Sequence, residues 1–551
     1  MESTNPVAIR DRIPHVTDDR KKPPAPGRWA QRALAAGCGL LAGFAALGVA
    51  ELVAAAVRPQ ADPVVAVGGA AIDRTPATVK DWAIRNFGTD DKLVLQSGIL
   101  VVLALFALAL GILALRHRRV GAAGVLLFGA VGAVAALSRP DSEGPADALP
   151  SIVGAVVGAL LLYHLVGRLP SRSAAPAGEP PSEENGEPGW DRRAFVVTAT
   201  AAAAASAGAL VVGRTLGAAS GQSAVASRDK VVLPRPQSPA APVPRGAQVR
   251  IPGVSPFITP NGSFYRVDTA LVVPKVDATT WRLRVHGKGV TRPLDLSFAD
   301  LLARELIERD ITLTCVSNEV GGPYVGNARW IGARLADLLA ESGVKPPSKG
   351  GPATQLVARS VDGMTIGSPV EEVMDGRDSL LALGMNGQPL PFDHGFPVRM
   401  VVPGLYGYVS ACKWLTDLEL TTFEAYDPYW VQRGWARLGP IKTESRIDTP
   451  KPFARPKAGT VMIGGVAWAQ HRGIERVEVR IDDGPWERAR LAAQDTRDTW
   501  RQWSHPWQAV KGGHTLTVRA TDGTGRTQTE KRTQTIPDGA SGWHSVVVTV
   551  D

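Results

Sequence analysis

One cysteine carries the clearest chemical signal in the chain. Cys315 follows residues 311–314, where aliphatic residues alternate with threonine, and precedes a Gly-containing stretch that ends at Gly322. This pattern predicts a strand that delivers a thiol to a turn. A thiolate is a soft ligand for a transition metal, and a metal-bound thiol is held deprotonated. On this stretch alone, a buried and inert cysteine is the commoner alternative.

Length, charge and cysteine content restrict the class of protein. The chain has 551 residues, enough for several domains, and its formal net charge is +9. The basic residues concentrate beside apolar runs, which indicates membrane orientation rather than nucleic-acid binding. Three cysteines, one of them inside an apolar run, predict no disulfide framework.

The first third of the chain predicts a multi-pass membrane region, 33–217, after a polar, basic cytoplasmic tail at 1–32. Four apolar runs lie at about 33–57, 93–115, 120–137 and 149–166, each close to the ~17–25 residues that span a bilayer. The basic hairpin 116–119 and the acid-leaning loop 138–148 predict the orientation of these runs in the membrane. By the positive-inside rule, the tail and hairpin are cytoplasmic, and the loops 58–92 and 138–148 lie outside.

A fifth helix is predicted at about 194–212, directly after Arg192 and Arg193. The arginine pair resembles a twin-arginine export signal, here internal; alternatively, it anchors the helix on its cytoplasmic side. Both interpretations place the remainder of the chain outside the membrane. Residues 218–256 are rich in Pro, Ser and Ala and predict a semi-extended tether.

Two further domains follow the tether. Residues 257–444 predict a mixed α+β domain, with a strand at 281–286, a helix capped by Ser297 at 297–308 and another helix at 331–342. Residues 445–551 predict an all-β, immunoglobulin-like sandwich, with alternating strands at 461–468, 477–482 and 515–521. Its tryptophans are expected to anchor a core or an interface; they are Trp468, Trp486, Trp500, Trp503 and Trp507.

The region 257–551 resembles the sulfite oxidase family. Five segments match in order: TPNGSFYR at 259–266, the Cys315 loop, GNARW at 326–330, MNGQPLPFDHGFPVR at 385–399, and VVPG at 401–404 leading to SACKW at 410–414. The resemblance implies a molybdenum–molybdopterin cofactor with Cys315 as the metal ligand. It also implies a mixed α+β cofactor domain and a homodimer formed through the C-terminal sandwich.

The resemblance also assigns roles to individual residues. Arg399 would offer a planar fork to the pterin phosphate and Lys413 a point charge. Asp362 would accept from a pterin amine or amide, and His394 would hydrogen-bond the pterin or phosphate. The other implied cofactor-binding residues are Phe264, Tyr265, Arg266, Asn318 and Ser410, and Arg266 joins Cys315 as a catalytic residue. Each has a purely structural alternative, such as a turn braced by His394.

The anion-binding set departs from the sulfite-oxidising members. Where they carry arginines after the metal cysteine, this chain has Glu319 and Val320; Ile536 and Trp435 replace a further arginine and a tyrosine. Only Arg266 remains of that set, so a doubly charged oxyanion is less expected as substrate. Three other arginines are candidates to compensate: Arg329, Arg433 and Arg437.

The sequence therefore predicts a membrane-anchored, extracytoplasmic molybdenum–pterin oxidoreductase. Oxo transfer to or from a small sulfur- or nitrogen-containing substrate is the expected reaction. The chain has no Cys-x-x-Cys-His motif, and His164 is the only histidine within its apolar runs. Electrons are therefore expected to pass to a separate cytochrome or quinone-linked protein. The alternative is a membrane-anchored scaffold that keeps the fold and has lost the chemistry.

Overall fold

The computed structural model describes residues 27–76, 91–169 and 192–551, together with positions 79, 82, 83, 86 and 87. In chain order it consists of a helical region, a mixed α+β domain and a β-sheet-rich domain. The predicted tail up to residue 26 and most of the linker after the fourth apolar run lie outside the described residues. Arg28 and Arg32, assigned to the tail from sequence, lie in the first helix.

Five helices of the described region are long and apolar enough to cross a membrane. A shorter helix, α2, lies in the loop between the first two and was not predicted; Asp62 caps it by accepting from the amides of Val64 and Val65. The helices are α1 (Arg28–Val57), α2 (Pro63–Arg74), α3 (Asp91–Ala114), α4 (Arg118–Leu137), α5 (Leu149–Gly167) and α6 (Arg192–Asp229).

Small residues bring the long helices together. A Cβ placed on Gly39 of α1 would overlap the carbonyl oxygen of Ala107 in α3, and one on Gly111 of α3 would overlap the carbonyl oxygen of Ala35. A Cβ on Gly154 of α5 would likewise overlap Ala46 of α1. Backbones approach this closely only where glycine removes the side chain, as is common between membrane helices.

The predicted tether needs correction. Helix α6 continues to Asp229, far beyond the predicted end at 212, because its Ala- and Ser-rich extension remains compatible with a helix after the apolar run ends. The extended residues that follow are fixed to the next domain. The Gln237 amide donates to the Leu306 carbonyl and the Glu308 amide to the Ser238 carbonyl, both at 2.9 Å.

The mixed α+β domain contains two five-stranded sheets. One has the order β2-β1-β10-β5-β6, with β1 and β10 parallel; the other has the order β3-β4-β7-β8, with β9 also paired to β7. Apolar faces of both sheets share one core. The strands are β1 (Arg282–Gly287), β2 (Leu294–Ser297), β3 (Leu306–Thr314), β4 (Val325–Arg334), β5 (Gln355–Ser360), β6 (Thr365–Pro369), β7 (Leu380–Met385), β8 (Gln388–Pro389), β9 (Arg399–Val401) and β10 (Leu415–Thr421).

The helices of this domain are shorter than predicted. Ser297 is a helix cap as expected, in a capping box with Asp300. However, α7 covers only Phe298–Leu302, and the remainder of the predicted helix belongs to β3. Similarly, the predicted helix 331–342 begins as the end of β4 and becomes α8 only over Leu335–Glu341. Short apolar runs do not distinguish helix from strand, and pairing between β3 and β4 decides the outcome. Two further short helices are α9 (Val370–Val373) and α10 (Gly407–Ser410).

The C-terminal domain is a sandwich of two four-stranded antiparallel sheets. Side chains from both, such as Ile463, Trp503, Val477 and Val518, meet in one buried core. Its immunoglobulin-like topology stays a prediction. The sheets are β11-β12-β16-β15 and β14-β13-β17-β18, built from β11 (Glu444–Thr449), β12 (Gly459–Trp468), β13 (Ile474–Ile481), β14 (Glu487–Arg488), β15 (Arg490–Leu491), β16 (Arg501–Ala509), β17 (Gly512–Asp522) and β18 (His544–Val550).

The tryptophans named from sequence lie in three environments. Trp503 and Trp507 belong to the sandwich core, and Trp468 and Trp500 to a second apolar cluster that joins the sandwich to the mixed domain. Trp486 instead makes an edge contact with Trp543, with ring centroids 4.9 Å apart.

Candidate active site

The cysteine loop is held from both sides. Strand β3 ends at Thr314, and the Cys315 amide donates to the Tyr324 carbonyl at 2.9 Å. The side-chain Oδ1 of Asn318 accepts from the Tyr324 backbone amide at 2.7 Å, which closes the loop. Gly321 has φ +80°, and a Cβ there would overlap the His544 ring of the sandwich. The thiol of residue 315 is therefore presented by a braced turn.

Cys315 lines a cavity of about 290 Å³. Of the three cysteines it is the one that does so, whereas Cys38 and Cys412 are buried elsewhere. Tyr265, Asp362, Arg399 and Lys413 line the same cavity. The structure thus brings together five of the residues predicted from sequence.

Arg399 is a buried cation. Its side chain is 6% exposed, and its Nη1 donates to the His394 carbonyl at 3.3 Å. The guanidinium lies over the Trp330 ring, 5.1 Å from the centroid. Within the described residues, no carboxylate pairs with it and its Nε has no partner. Burial lowers the pKa of Arg399 to about 10, so it stays charged at neutral pH.

Lys413 belongs to a buried charge cluster. Its Nζ donates to Asp268 at 2.7 Å, and Lys92, from the start of α3, pairs with the other oxygen of the same carboxylate. Burial lowers the pKa of Lys413 to about 8. Burial alone would raise the pKa of Asp268, but attraction to Lys413 and Lys92 outweighs it and holds that pKa at about 2.

Burial raises the pKa of two other lining groups. Burial raises the pKa of the Tyr265 phenol, and the charge on nearby Cys315 raises it further. The Tyr265 hydroxyl therefore remains a hydrogen-bond donor. Burial also raises the pKa of Asp362, whose carboxylate accepts from Thr269 and from the Met364 amide, both at 3.3 Å.

The remaining predicted residues do not line the cavity. Ser410 donates to the Leu405 carbonyl at 2.9 Å, and Asn318 closes the cysteine loop. Phe264 is a core residue stacked on Tyr265, with centroids 5.2 Å apart. His394 contacts the Asn261 carbonyl at 2.9 Å, and burial lowers its pKa to about 4, so its ring is neutral.

Arg266 lies away from the cavity that contains Cys315. The chain is extended there, so its side chains alternate: Tyr265 and Val267 line the cavity, and Arg266 pairs with Asp393 at 3.3 Å. This placement does not fit the predicted catalytic role of Arg266.

The candidate replacement arginines are all engaged elsewhere. Arg329 pairs with Asp310 at 2.7 Å, Arg437 pairs with Asp427 at 3.0 Å, and Arg433 donates to the Asp73 carbonyl at 3.0 Å. None of the three lines the cavity, and neither does Glu319. Trp435, which stands in the tyrosine position, does line it.

Sequence reasoning missed the part of the cavity that comes from the helical region. Lys92 and Asp268 were not singled out. No local pattern in the sequence marks Asp268 or the residues from the helical region. The cavity residues contributed by the helical region are Ile72, Thr75, Val79, Ala83, Lys92 and Leu95.

Comparison with known proteins identifies the family. Residues 270–430 match the family described as "Oxidoreductase molybdopterin binding domain". Human mitochondrial sulfite oxidase is 33% identical over 288 residues, which cover 45% of this chain and 52% of that protein. The uncharacterized oxidoreductase YuiH of Bacillus subtilis is 34% identical over 163 residues, 30% of this chain and 76% of that protein. A solved structure, the sulfane dehydrogenase SoxCD from Paracoccus pantotrophus, aligns with a TM-score of 0.46 and 26% identity over 53% of this chain and 83% of that chain.

The chain belongs to the molybdopterin-binding oxidoreductase family, with sulfite oxidases among its relatives. The family implies the molybdenum–molybdopterin cofactor that the sequence predicted. The chain spans about half the length of the sulfite oxidases it matches.

The cavity residues fit this cofactor. A buried guanidinium without a carboxylate partner calls for an anion, and a pterin phosphate supplies one beside Arg399 and Lys413. Cys315 offers the soft thiolate, and Asp362 offers an acceptor for pterin N–H groups. These residues would therefore hold the cofactor, and Lys92 and Asp268 would fix the position of Lys413.

Proposed function

We propose that this protein is a membrane-anchored oxidoreductase that transfers an oxygen atom to or from a small sulfur- or nitrogen-containing compound. One observation carries the proposal: the Cys315 thiol and the buried Arg399 cation, far apart in sequence, line the same cavity. A scaffold that had lost its chemistry would need neither. In the oxidising direction, the substrate and water give the oxide, two protons and two electrons; the reducing direction is the reverse.

The cofactor supplies the oxo transfer and the two-electron change. The protein binds the cofactor, donates hydrogen bonds and excludes water. Arg399 and Lys413 bind the phosphate, and Asp268 orients Lys413. Tyr265 keeps its proton beside Cys315 and can donate a hydrogen bond to a substrate oxygen. Apolar residues such as Ile72 and Leu95 exclude water from one side of the cavity.

Membrane anchoring is supported by the five apolar helices and by their outer surfaces. Leu93, Leu105, Leu127 and Val134 are each at least 60% exposed, and an apolar surface of this extent favours lipid over water. The catalytic domain contacts α2, the start of α3 and the loop near Asp141, which the positive-inside rule places outside. We therefore place the catalytic domain outside the cytoplasm. Arg192 and Arg193 at the start of α6 serve as the export signal in this proposal.

The proposal includes two partners. Electrons pass singly to or from a separate cytochrome or quinone-linked protein. A second copy of the chain binds through the C-terminal sandwich, as the family resemblance implies.

Molybdenum content tests the central assignment. We expect stoichiometric molybdenum in the full-length protein purified in detergent, and its loss in Cys315→Ser, because serine removes the soft ligand. Cys412→Ser is the matched control: Cys412 is also buried but does not line the cavity, so the variant should retain the metal. Equal molybdenum in wild type and Cys315→Ser would remove Cys315 from the site. A wild-type protein without molybdenum would favour the scaffold alternative.

A further inference from the structure

The helical region contributes one wall of the active-site cavity. Ile72, Val79, Ala83 and Leu95 present an apolar surface to the space lined on the other side by Cys315. The basic lining residue of this wall, Lys92, is engaged with Asp268. The wall is therefore apolar apart from Thr75 and this ion pair.

Partly buried polar contacts fix this wall to the catalytic domain. The Tyr429 hydroxyl donates to Asp73 of α2 at 2.7 Å, and Arg433 donates to the Asp73 carbonyl at 3.0 and 3.2 Å. Gly68 lies so close to Leu271 that a Cβ would approach a Leu271 methyl to 2.6 Å. The helical region and the catalytic domain therefore form this cavity jointly.

Aromatic residues line the cavity from the catalytic domain. Trp430 and Trp435 pack edge to face with centroids 6.2 Å apart, and Tyr408 lies 5.7 Å from Trp435. All three line the cavity together with Val316 and Ile366. Aromatic and aliphatic residues therefore form an apolar part of the lining, called here the apolar chamber, in addition to the charged residues that fit the cofactor.

The charged groups of the lining restrict the charge of the substrate. The basic groups among the described lining residues are Lys92, Arg399 and Lys413, and the acidic ones are Asp268 and Asp362. Three basic groups face two carboxyl groups, so with Asp268 ionised at most two positive charges remain in excess. A phosphate monoester brings about −1.5 to −2 charges at neutral pH, so the bound cofactor would consume this excess. No uncompensated cation is then left in the lining for an anionic substrate.

Access also favours an apolar molecule. Leu95 faces the cavity, whereas Leu93 and Val94, two residues and one residue before it, are 65% and 45% exposed on the outer surface of α3. The cavity wall and the surface that we assign to lipid therefore lie within one turn of the same helix.

We propose that the membrane helices form the substrate-binding wall, and that the site takes an uncharged sulfur or nitrogen compound with an apolar body that reaches it from the membrane side. This inference rests on the proposed function and specifies its substrate class. It assigns Leu95 as a specificity-determining residue.

The test measures binding to the full-length, molybdenum-loaded protein in lipid nanodiscs. The probes are dimethyl sulfoxide, butyl methyl sulfoxide, octyl methyl sulfoxide and sulfite, and the readout is quenching of tryptophan fluorescence. We expect the affinity to rise about fourfold for each methylene buried, until the chamber is filled. Sulfite should compete with none of the sulfoxides.

Paired leucine variants separate the wall from the lipid. Long probes also partition into the lipid of the nanodisc. The difference in affinity between the two variants therefore shows whether the wall itself binds the probe. Leu95→Ala should weaken octyl methyl sulfoxide binding about tenfold and leave dimethyl sulfoxide unaffected, because only the longer chain reaches the wall. Leu93→Ala, two residues away on the outer surface, should bind every probe as the wild type does.

Two results would overturn the inference alone: tight sulfite binding, or the same loss in both leucine variants. Molybdenum content is measured on the same samples. If the wild-type protein lacks the metal, both the proposed function and this inference are wrong. If the metal is present, the experiment tests only the substrate class and the role of the wall.

Discussion

Arg399 shows how a binding residue can weaken the protein that carries it. Its guanidinium is buried over Trp330, and no carboxylate in the described part of the chain offsets its charge. Burying an unpaired ion costs several kcal/mol, so the cofactor phosphate would stabilise the folded protein as well as enable its chemistry.

This conflict predicts opposite effects of one substitution. Arg399→Met should raise the free energy of unfolding of the cofactor-free protein by about 1–3 kcal/mol, because an apolar side chain of similar length replaces an unpaired buried charge. The same variant should lose most of its bound pterin and molybdenum. Thermal unfolding of cofactor-free protein and metal analysis of loaded protein measure the two effects.

Arg359→Met is the control, since Arg359 is 37% exposed in the same domain and lies 4.0 Å from Glu419. It should change neither quantity appreciably. A cofactor-free Arg399→Met protein less stable than the wild type would show that Arg399 has a structural role in the absence of the phosphate.

Residue identity could be predicted where a local pattern fixed it. Cys315 follows a strand and precedes a turn, and Arg399 and Lys413 lie in matched segments, so their convergence on one cavity was foreseeable. The position of Arg266 outside the cavity could not be predicted. An extended segment places neighbouring residues on opposite sides, and the motif does not say which side faces the site. Asp268, two residues after Arg266, does line the cavity, and it was overlooked because no motif marks it.

At the scale of elements, composition decided what could be predicted. The long apolar runs marked all five long helices because length and hydropathy suffice for that. The α6 extension and α2 were missed because they are less apolar or shorter. Helices predicted at 297–308 and 331–342 became partly strand, since β3 and β4 pair over their whole length and that pairing is not a local property.

Helix packing in the apolar bundle depends on individual glycines. Gly39→Ala should destabilise the bundle by about 1–3 kcal/mol, because the new Cβ would overlap the Ala107 carbonyl and lie 3.0 Å from Gly111 Cα, so the backbones must separate. Thermal unfolding in detergent, followed by loss of monodisperse protein, measures the effect.

Gly37→Ala, two residues earlier on α1, is the matched control. A Cβ there would meet nothing within 4 Å, so the substitution should stabilise the helix by roughly 0.5–1 kcal/mol through helix propensity alone. Equal effects at both positions would mean that α1 and α3 do not pack through Gly39.

At the scale of the whole molecule, the helical region and the catalytic domain share a site. Lys92 and Asp268 are separated by most of the helical region and by the extended segment after α6, so no periodicity or motif could have paired them. Their ion pair, with Lys413 on the other side of Asp268, is the point where the helical region meets the cofactor-binding residues. The coupling of the two regions can be tested through this pair.

Lys92→Met should loosen the wall without unfolding the domain. The Asp268 side chain is 2% exposed and would retain Lys413, so the remaining pair keeps the carboxylate charged. Amide hydrogen exchange should rise at 92–95 and 265–269, which lose their mutual anchor, and remain unchanged in the C-terminal sandwich. Lys457→Met, at an exposed position of the sandwich domain, should leave all of these segments as in the wild type.

Asp268→Asn should lower the free energy of unfolding by about 3–5 kcal/mol, because it leaves two lysines facing each other without an anion.

Acid unfolding gives an independent measure of the contribution of Asp268 to stability. Since the folded pKa of Asp268 lies below its usual value, its stabilising contribution is present above about pH 4 and is lost as the pH falls towards 2. Lys92→Met removes one of the two cations that lower this pKa, so the contribution of Asp268 should be smaller and its loss should be complete at a higher pH. An unchanged acid midpoint together with unchanged exchange at 265–269 would mean that the helical region only tethers the catalytic domain and takes no part in its site.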